Sequence, residues 1–294
     1  MKKIEIYFNL AFVSFLILYS SCKENLTSGF ANVNGTSIYY EMKGTGTPIV
    51  FIHGFACDLR NWDNQFELFS KNYKVIRYDL RGFGKSSLPD TIPYSHADDL
   101  SALLEFLKID KVILVGHSLG GGVAIYYTLE HPKKVFALIV AEGGAPSKTT
   151  LEKSNTLNRL RMPAIKIAQT EGVERGKNAW LNMEIYEPAM KNSKSVDKLK
   201  LMTAEYSGWH WVNKDPQLIR ILEENELFQI KVPTLIMTGE LSRFEYHDVM
   251  ELHHTNIPNS KVVLINKSGH MLNLENPDQF NREVLTFLRD NNLQ

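Results

Sequence analysis

Cysteine is scarce in this sequence, whose 294 residues contain two, Cys22 and Cys57. If Cys22 is modified as predicted below, Cys57 has no partner within the chain, and a disulfide framework is excluded. Charge of one sign is not in excess either, because Lys plus Arg and Asp plus Glu are both 33. This balance gives no reason to expect a nucleic-acid partner. The length and the hydrophobic content of 44% fit one large α/β domain, or one domain with an insertion.

Motifs for phosphate and metal binding are also missing. Gly84-Lys85-Ser86 resembles the end of a phosphate-binding loop, but Asp79 occupies the earlier position where that loop needs glycine. His247, His253 and His254 are close in sequence but do not form an H-E-x-x-H motif. We interpret these three histidines as surface residues, and we expect neither a metal site nor a cofactor.

The first residues have the pattern of a targeting signal. Lys2 and Lys3 precede an apolar run from Ile4 to Tyr19, and Ser21-Cys22 follows. The run is shorter than the roughly 20 residues of a transmembrane helix, and the whole pattern matches a secretory signal peptide. Small residues directly before a cysteine resemble a bacterial lipoprotein signal, in which Cys22 would carry the lipid that anchors the protein to a membrane. Residues 1–22 are therefore predicted to be an export signal. A plain signal peptide, which would give a periplasmic or secreted protein, and a poor membrane anchor are the alternatives.

The stretch Lys111–Gly122 predicts a strand, a sharp turn and a helix, with Ser118 at the turn. Val112–Val115 is an apolar run of β-favouring residues, and a helix-like segment follows the turn. Such a turn needs the glycines at 116 and 120, because the strand and the helix come very close to each other. The serine hydroxyl is then raised above one end of a sheet, at a helix N-terminus that favours developing negative charge.

Short glycine-containing turns also follow other predicted strands. They are His53-Gly54-Phe55, the loop Asp79–Ser86 and the pair Gly269-His270. Predicted strands and helices alternate along the chain, which indicates parallel strands joined by crossover helices. Between residues 145 and 228 the pattern changes to polar helical segments without a buried β-run.

Together with Gly-x-Ser-x-Gly around Ser118, these segments resemble the α/β-hydrolase superfamily over nearly all of the chain after residue 28. The resemblance implies an α/β fold with a mostly parallel eight-stranded sheet, helices on both faces and a helical cap. The core would comprise residues 23–144 and 229–294, and the cap would comprise residues 145–228. A cap of this kind excludes water and walls the substrate pocket.

The same resemblance implies roles for particular residues. Ser118 would be the nucleophile and His270 the base that removes its proton, in the chain order of this family. The backbone N–H groups of Phe55 and Leu119 would form the oxyanion hole. His53 is expected to order the oxyanion loop rather than to act as a base. No cofactor is needed for this chemistry.

The third member of the expected triad departs from the family pattern. An aspartate usually follows the seventh strand, but Ser242 stands at that position here. Glu142, at the end of the sixth strand, is the predicted replacement, because its strand should lie beside the seventh strand and near the turn that carries His270. Glu240 and Glu245, in the seventh-strand loop, are alternatives. A further alternative is that no acid is present.

The function expected from these residues is hydrolysis of small carboxylic esters or lactones through an acyl-enzyme at Ser118. Haloalkane dehalogenases and epoxide hydrolases are excluded by the resemblance, because they carry a carboxylate at the position of Ser118. A hydrolase of carbon–carbon bonds that uses the same serine is an alternative. A catalytically weakened hydrolase fold that only binds a ligand is another, and Ser242 is the reason to consider it.

Overall fold

The computed structural model describes residues 26–148 and 150–294, so the predicted export signal with Cys22 lies outside the described residues. The described strands are β1 (Thr27–Val33), β2 (Thr36–Lys43), β3 (Pro48–Ile52), β4 (Lys74–Tyr78), β5 (Val112–His117), β6 (Val135–Ala141), β7 (Thr234–Gly239) and β8 (Ser260–Ile265). They form an eight-stranded sheet in the order β1-β2-β4-β3-β5-β6-β7-β8. β2 pairs antiparallel with β1 and β4, and every other neighbouring pair is parallel. The predicted mostly parallel eight-stranded sheet is therefore confirmed.

The helices lie on both faces of this sheet. They are α1 (Asp63–Phe69), α2 (His96–Phe106), α3 (Leu119–Glu130), α4 (Leu151–Glu171), α5 (Val173–Leu181), α6 (Glu187–Lys191), α7 (Val196–Glu205), α8 (Trp209–Val212), α9 (Phe244–Asn256), α10 (Leu272–Glu275) and α11 (Pro277–Asp290). Apolar residues of α2, α3 and α9 belong to one hydrophobic core, and those of α1 and α11 belong to another. None of the helices in the described part of the chain has the length and apolar character needed to cross a bilayer.

The two cores follow from the alternation of side chains along the central strands. In β3, Val50 and Ile52 are buried in the first core, whereas Ile49 and Phe51 are buried in the second. Successive side chains of a strand point to opposite faces, and strands that are covered on both faces are apolar throughout. The unbroken apolar runs of the sequence therefore correspond to strands at the centre of the sheet.

The segment between β6 and β7 contains α4 to α8 and, among its described residues, no strand of the sheet. Trp180, Trp211, Tyr186 and Tyr206 are buried within this segment and belong to the first hydrophobic core. Their rings contact one another, for example Trp180 and Trp211 at 5.2 Å between centroids. The division of the chain into a core and a cap at residues 145–228 stays a prediction.

Candidate active site

Ser118 lies at the turn between β5 and α3, with a backbone φ of 52°. This left-handed conformation is costly for a residue other than glycine, and it persists only where the surroundings impose it. The strand and the helix approach so closely that a Cβ at Gly116 would lie 2.2 Å from the carbonyl oxygen of Gly120. The Ser118 N–H donates to the carbonyl of Ala141 at the end of β6, which ties the turn to the neighbouring strand. The side chain is thereby held above the C-terminal edge of the sheet.

The candidate oxyanion donors lie around a cavity of about 390 Å³ that Ser118 also lines. Phe55 and Leu119 both line it, and neither backbone N–H donates a hydrogen bond to another described residue. The Phe55 loop is close to the serine, because a Cβ at Gly54 would lie 3.2 Å from the Ser118 Cβ. Two free N–H donors beside a serine are the arrangement that stabilises an oxyanion.

His53 orders this loop. The ring is fully buried, and its Nε2 accepts a hydrogen bond of 3.0 Å from the backbone N–H of Leu80. Its Nδ1 lies 2.8 Å from the carbonyl oxygen of Gly54, so Nδ1 carries the proton and donates it. Burial lowers the pKa of His53 to about 4, which keeps the ring neutral and suited to these two bonds.

His270 lies in the turn after β8 and is held from two sides. Nε2–H of His117, the residue before Ser118, donates to the carbonyl oxygen of His270 at 2.8 Å. The buried carboxylate of Glu275 accepts hydrogen bonds from the backbone N–H groups of Gly269 at 2.8 Å and Met271 at 3.0 Å. The histidine turn is therefore fixed to the nucleophile turn on one side and to α10 on the other.

The Glu142 side chain reaches His270. Its Oε2 lies 3.5 Å from Nδ1 of His270, and neither atom has another hydrogen-bond partner among the described residues. Glu142 Oε1 accepts three hydrogen bonds, from Thr238 Oγ1 at 2.6 Å, Gly239 N–H at 2.7 Å and Ser242 Oγ at 2.8 Å. One oxygen thus positions the carboxylate, and the other is left for the histidine.

The backbone at Glu142 is adapted to this position. The residue follows β6 with a φ of 49°, and its N–H donates to the carbonyl of Met237 on β7. The next residue must be glycine, because a Cβ at Gly143 would lie 2.2 Å from the carbonyl oxygen of Ser118. Gly143 therefore makes room for the nucleophile turn as well as for the glutamate.

The two alternative acids have other partners. Glu240 is exposed, and its Oε2 accepts the backbone N–H of Lys267 at 2.8 Å. Glu245 forms an ion pair of 2.7 Å with Arg243. Ser242, at the position where the family usually carries aspartate, donates its hydroxyl hydrogen to Glu142. Of the three candidate glutamates, the geometry brings only Glu142 to His270.

Burial dominates the electrostatics of this cluster. It raises the pKa of Glu142, and the three hydrogen bonds to Oε1 oppose that rise. It also lowers the pKa of His270 to about 3, and the positive charge of Arg161 adds to this effect. The His117 pKa is lowered to about 3 for the same principal reason. The folded protein therefore favours neutral His270, which is the form that can accept a proton.

Two structural details differ from the sequence interpretation or were missed by it. The interpretation of His253 as a surface residue was wrong: its side chain is fully buried, and its ring packs against Gly144 in the loop that follows β6. The contact between His117 and His270 joins residues 153 positions apart, so no local pattern indicated it. Among the described residues, no group of three or more His, Cys, Asp and Glu side chains is arranged to hold a metal ion.

Comparison with known proteins agrees with this fold. Residues 47–277 match the family model described as alpha/beta hydrolase fold. A 2-hydroxy-6-oxononadienedioate/2-hydroxy-6-oxononatrienedioate hydrolase of Burkholderia vietnamiensis is 29% identical, over 90% of this chain and 97% of that protein. The solved structure of Est816, described as an N-acyl homoserine lactone degrading enzyme, is 28% identical with a TM-score of 0.70, over 88% of this chain and 100% of the other. The esterase EaEST of Exiguobacterium antarcticum is 26% identical with a TM-score of 0.72, over 90% of this chain and 100% of the other. The chain belongs to the alpha/beta hydrolase family, and it is a hydrolase.

Proposed function

We propose that this hydrolase cleaves small carboxylic esters or lactones through an acyl-enzyme at Ser118. The observation that carries the proposal is the contact between Glu142 and His270, combined with the bond that joins the histidine turn to the nucleophile turn. A histidine oriented by a carboxylate, on a turn that is tied to the turn of a serine, is the arrangement needed to activate a hydroxyl that is otherwise a weak nucleophile.

In the proposed mechanism, Nε2 of His270 removes the proton of Ser118 as its Oγ attacks the carbonyl carbon. Glu142 accepts the Nδ1–H of His270, which fixes the tautomer and stabilises the imidazolium that forms. The N–H groups of Phe55 and Leu119 hold the negative oxygen of the tetrahedral intermediate. The imidazolium then protonates the leaving alcohol, and a water molecule activated by His270 releases the acid from Ser118.

The size of the cavity and the similar proteins support a small substrate. A cavity of about 390 Å³ is at the lower end of the range for small-molecule sites. Two of the similar solved structures are described as an N-acyl homoserine lactone degrading enzyme and as an esterase. These similarities support small esters and small lactones as the two proposed substrate classes.

The test is covalent labelling and turnover with one set of variants. A fluorophosphonate should label wild-type protein but should not label Ser118→Ala. Ser87→Ala, which removes an exposed serine, is the control and should also be labelled. Nitrophenyl acetate, nitrophenyl butyrate and a γ-lactone should be hydrolysed by wild-type protein and Ser87→Ala only, while all three proteins unfold at the same temperature. Wild-type turnover by folded Ser118→Ala would refute the nucleophile. A wild-type protein that neither labels nor turns over any of these substrates would indicate a ligand-binding relative.

Cleavage of carbon–carbon bonds is the second candidate. It is favoured by one observation, the 29% identity to the Burkholderia vietnamiensis hydrolase, which covers 97% of that protein. The same serine would act, so labelling does not separate the two candidates. The two candidates are separated by comparing the steady-state hydrolysis of an ester with that of a vinylogous diketone of the same size. A kcat/KM at least tenfold higher for the diketone would favour cleavage of carbon–carbon bonds.

We also propose that the protein is exported and that Cys22 is its lipid attachment point. This proposal rests on the sequence of residues 1–22 alone. Wild-type protein and Cys22→Ala should be compared by cell fractionation and by mass spectrometry of the N-terminus. Cytosolic wild-type protein that retains Met1 would refute export. Soluble mature protein cleaved at another residue would refute lipidation alone.

A further inference from the structure

Arg161 on α4 lines the same cavity as Ser118. The residue is half-buried, and none of the described Asp or Glu side chains forms an ion pair with it. By contrast, Arg77 is paired with Glu41 and Asp63, and the buried Arg81 is paired with Asp99. Partial burial of a cation without an anion nearby costs free energy unless an anion or water takes that place.

The guanidinium of Arg161 acts on the catalytic side of the cavity. Its charge lowers the pKa of the His270 imidazole, after the larger effect of burial. It also opposes the rise in the pKa of the buried Tyr246 hydroxyl. The Tyr246 ring lies against His270, with 4.5 Å between the ring centroids. Because Arg161 and Ser118 line the same cavity, a substrate that fills the cavity contacts both side chains.

Neither of the two described carboxylates that line the cavity, Glu142 and Asp215, forms an ion pair with Arg161. The Glu142 carboxylate is fully buried; its Oε1 accepts from three donors, and its Oε2 lies 3.5 Å from Nδ1 of His270. Asp215 also lines the cavity, but its neighbours are His210, at 3.8 Å, and the backbone N–H of Gln217, at 3.0 Å. The cavity thus carries the guanidinium of Arg161, without an ion-pair partner among the described residues, together with the carboxylate of Asp215, whose own neighbours are His210 and Gln217.

We propose that Arg161 binds a carboxylate of the substrate, so that the preferred substrates are small esters or lactones that carry an acid group. The inference rests on the proposed function and narrows its substrate class. Guanidinium is suited to this role, because its planar fork of donors matches the two oxygens of a carboxylate. Asp215 would repel an acid group bound in the opposite orientation, and would thereby help to align the substrate.

The experiment compares charged and uncharged substrates in wild-type protein, Arg161→Gln and Arg159→Gln. Arg159 is an exposed arginine on the same helix and serves as the matched control. One pair of substrates carries the acid in the acyl part, the mono-nitrophenyl ester of adipic acid against nitrophenyl heptanoate. The other pair carries it in the leaving group, acetoxybenzoate against phenyl acetate. Both positions are tested because the carboxylate could lie on either side of the scissile bond.

For at least one pair, Arg161→Gln should lower kcat/KM for the acid substrate by about 10- to 100-fold, which corresponds to the loss of a charged hydrogen-bonded pair. The uncharged partner should change by less than about threefold, and Arg159→Gln should change neither. Raising the salt concentration should weaken the preference for the acid substrate in wild-type protein. Equal losses for charged and uncharged substrates in both pairs, or no loss in either, would overturn the inference.

Binding without turnover separates this inference from the proposed function. Adipate monomethyl ester should bind Ser118→Ala, measured by calorimetry, and should bind Ser118→Ala/Arg161→Gln at least tenfold more weakly. If wild-type protein hydrolyses no ester but this difference in binding is found, the proposed function fails and the carboxylate site stands. If esters are hydrolysed but the two proteins bind the monoester equally, the carboxylate site fails and the proposed function stands.

Discussion

Replacement of Glu142 by glutamine tests the proposed triad most directly. Glutamine keeps the shape of the side chain, and its oxygen can still accept the hydrogen bonds from Thr238, Gly239 and Ser242. Its NH₂ group then replaces Oε2, which lies 3.5 Å from Nδ1 of His270. A donor at that place requires Nδ1 to accept, so the proton of the ring moves to Nε2. In that tautomer His270 cannot remove a proton from Ser118.

We therefore expect a large loss of kcat, although the substitution changes the side chain only slightly. An orienting carboxylate replaced by its amide costs about 10⁴ in kcat in a known triad of the same design. That factor corresponds to about 5 kcal/mol of transition-state stabilisation. Stability should not fall in parallel, because glutamine removes the cost of burying a charge at a fully buried position. A large loss of kcat in a protein that remains folded is the expected signature.

The assay is steady-state hydrolysis of nitrophenyl butyrate, with thermal unfolding of each variant measured in the same buffer. Glu240→Gln and Glu245→Gln are the matched controls, and each should retain kcat within about threefold, because neither carboxylate contacts His270 in the described structure. The reasoning would be refuted if kcat fell less than about tenfold in Glu142→Gln and far more in either control. The acid would then lie in the loop after β7.

Two further predictions concern pH. His270, as the proposed base, can accept a proton only when it is neutral. Burial and the charge of Arg161 lower its pKa to about 3, so the acid limb of kcat/KM for an uncharged ester should lie below pH 6.5. Arg161→Gln removes the positive charge and should move that limb to higher pH; an unchanged limb in a pH–rate profile would contradict this. Burial raises the pKa of Glu275 to about 7 in the folded protein, so its contribution to stability is fully present below its unfolded pKa and is lost as pH rises to about 7. From pH 4.5 to 7.5, the free energy of unfolding of wild-type protein should fall relative to Glu275→Gln by at most about 3 kcal/mol, measured with urea, and a difference that is independent of pH would contradict the prediction.

The fold was predictable from the sequence because its main signals are local. The apolar runs of the sequence correspond to the buried strands. The glycines around Ser118 indicated a turn at which strand and helix come very close, and Ser118 has a φ of 52° in that turn. The mostly parallel order followed from the alternation of strands and helices. These features depend on neighbours within a few residues, and a single sequence displays them directly.

The supporting contacts of the site were not predictable in the same way. The Glu275 carboxylate supports the histidine turn, but a glutamate in a short helix has no pattern that reveals which backbone groups it will contact. Arg161 is one of several cations in a polar helical segment, and only the folded chain shows that it lines the cavity with Ser118. Both contacts depend on how separate elements pack, which residue type and periodicity do not specify.

The position of the acid that orients His270 was only partly predictable from the sequence. It can be tested by moving the carboxylate from position 142 to position 242. β6 and β7 are parallel neighbours, with Ala141 paired to Met237, so a carboxylate at the end of either strand can approach His270. Ser242 Oγ lies 2.8 Å from Glu142 Oε1, which places position 242 beside the carboxylate. Adding Ser242→Asp to Glu142→Ala should therefore raise kcat/KM at least tenfold above Glu142→Ala alone, because the small alanine leaves room for a carboxylate from the neighbouring strand to accept the Nδ1–H of His270. If the double variant is no more active than Glu142→Ala on nitrophenyl butyrate, with both proteins folded, then only the end of β6 can orient this histidine.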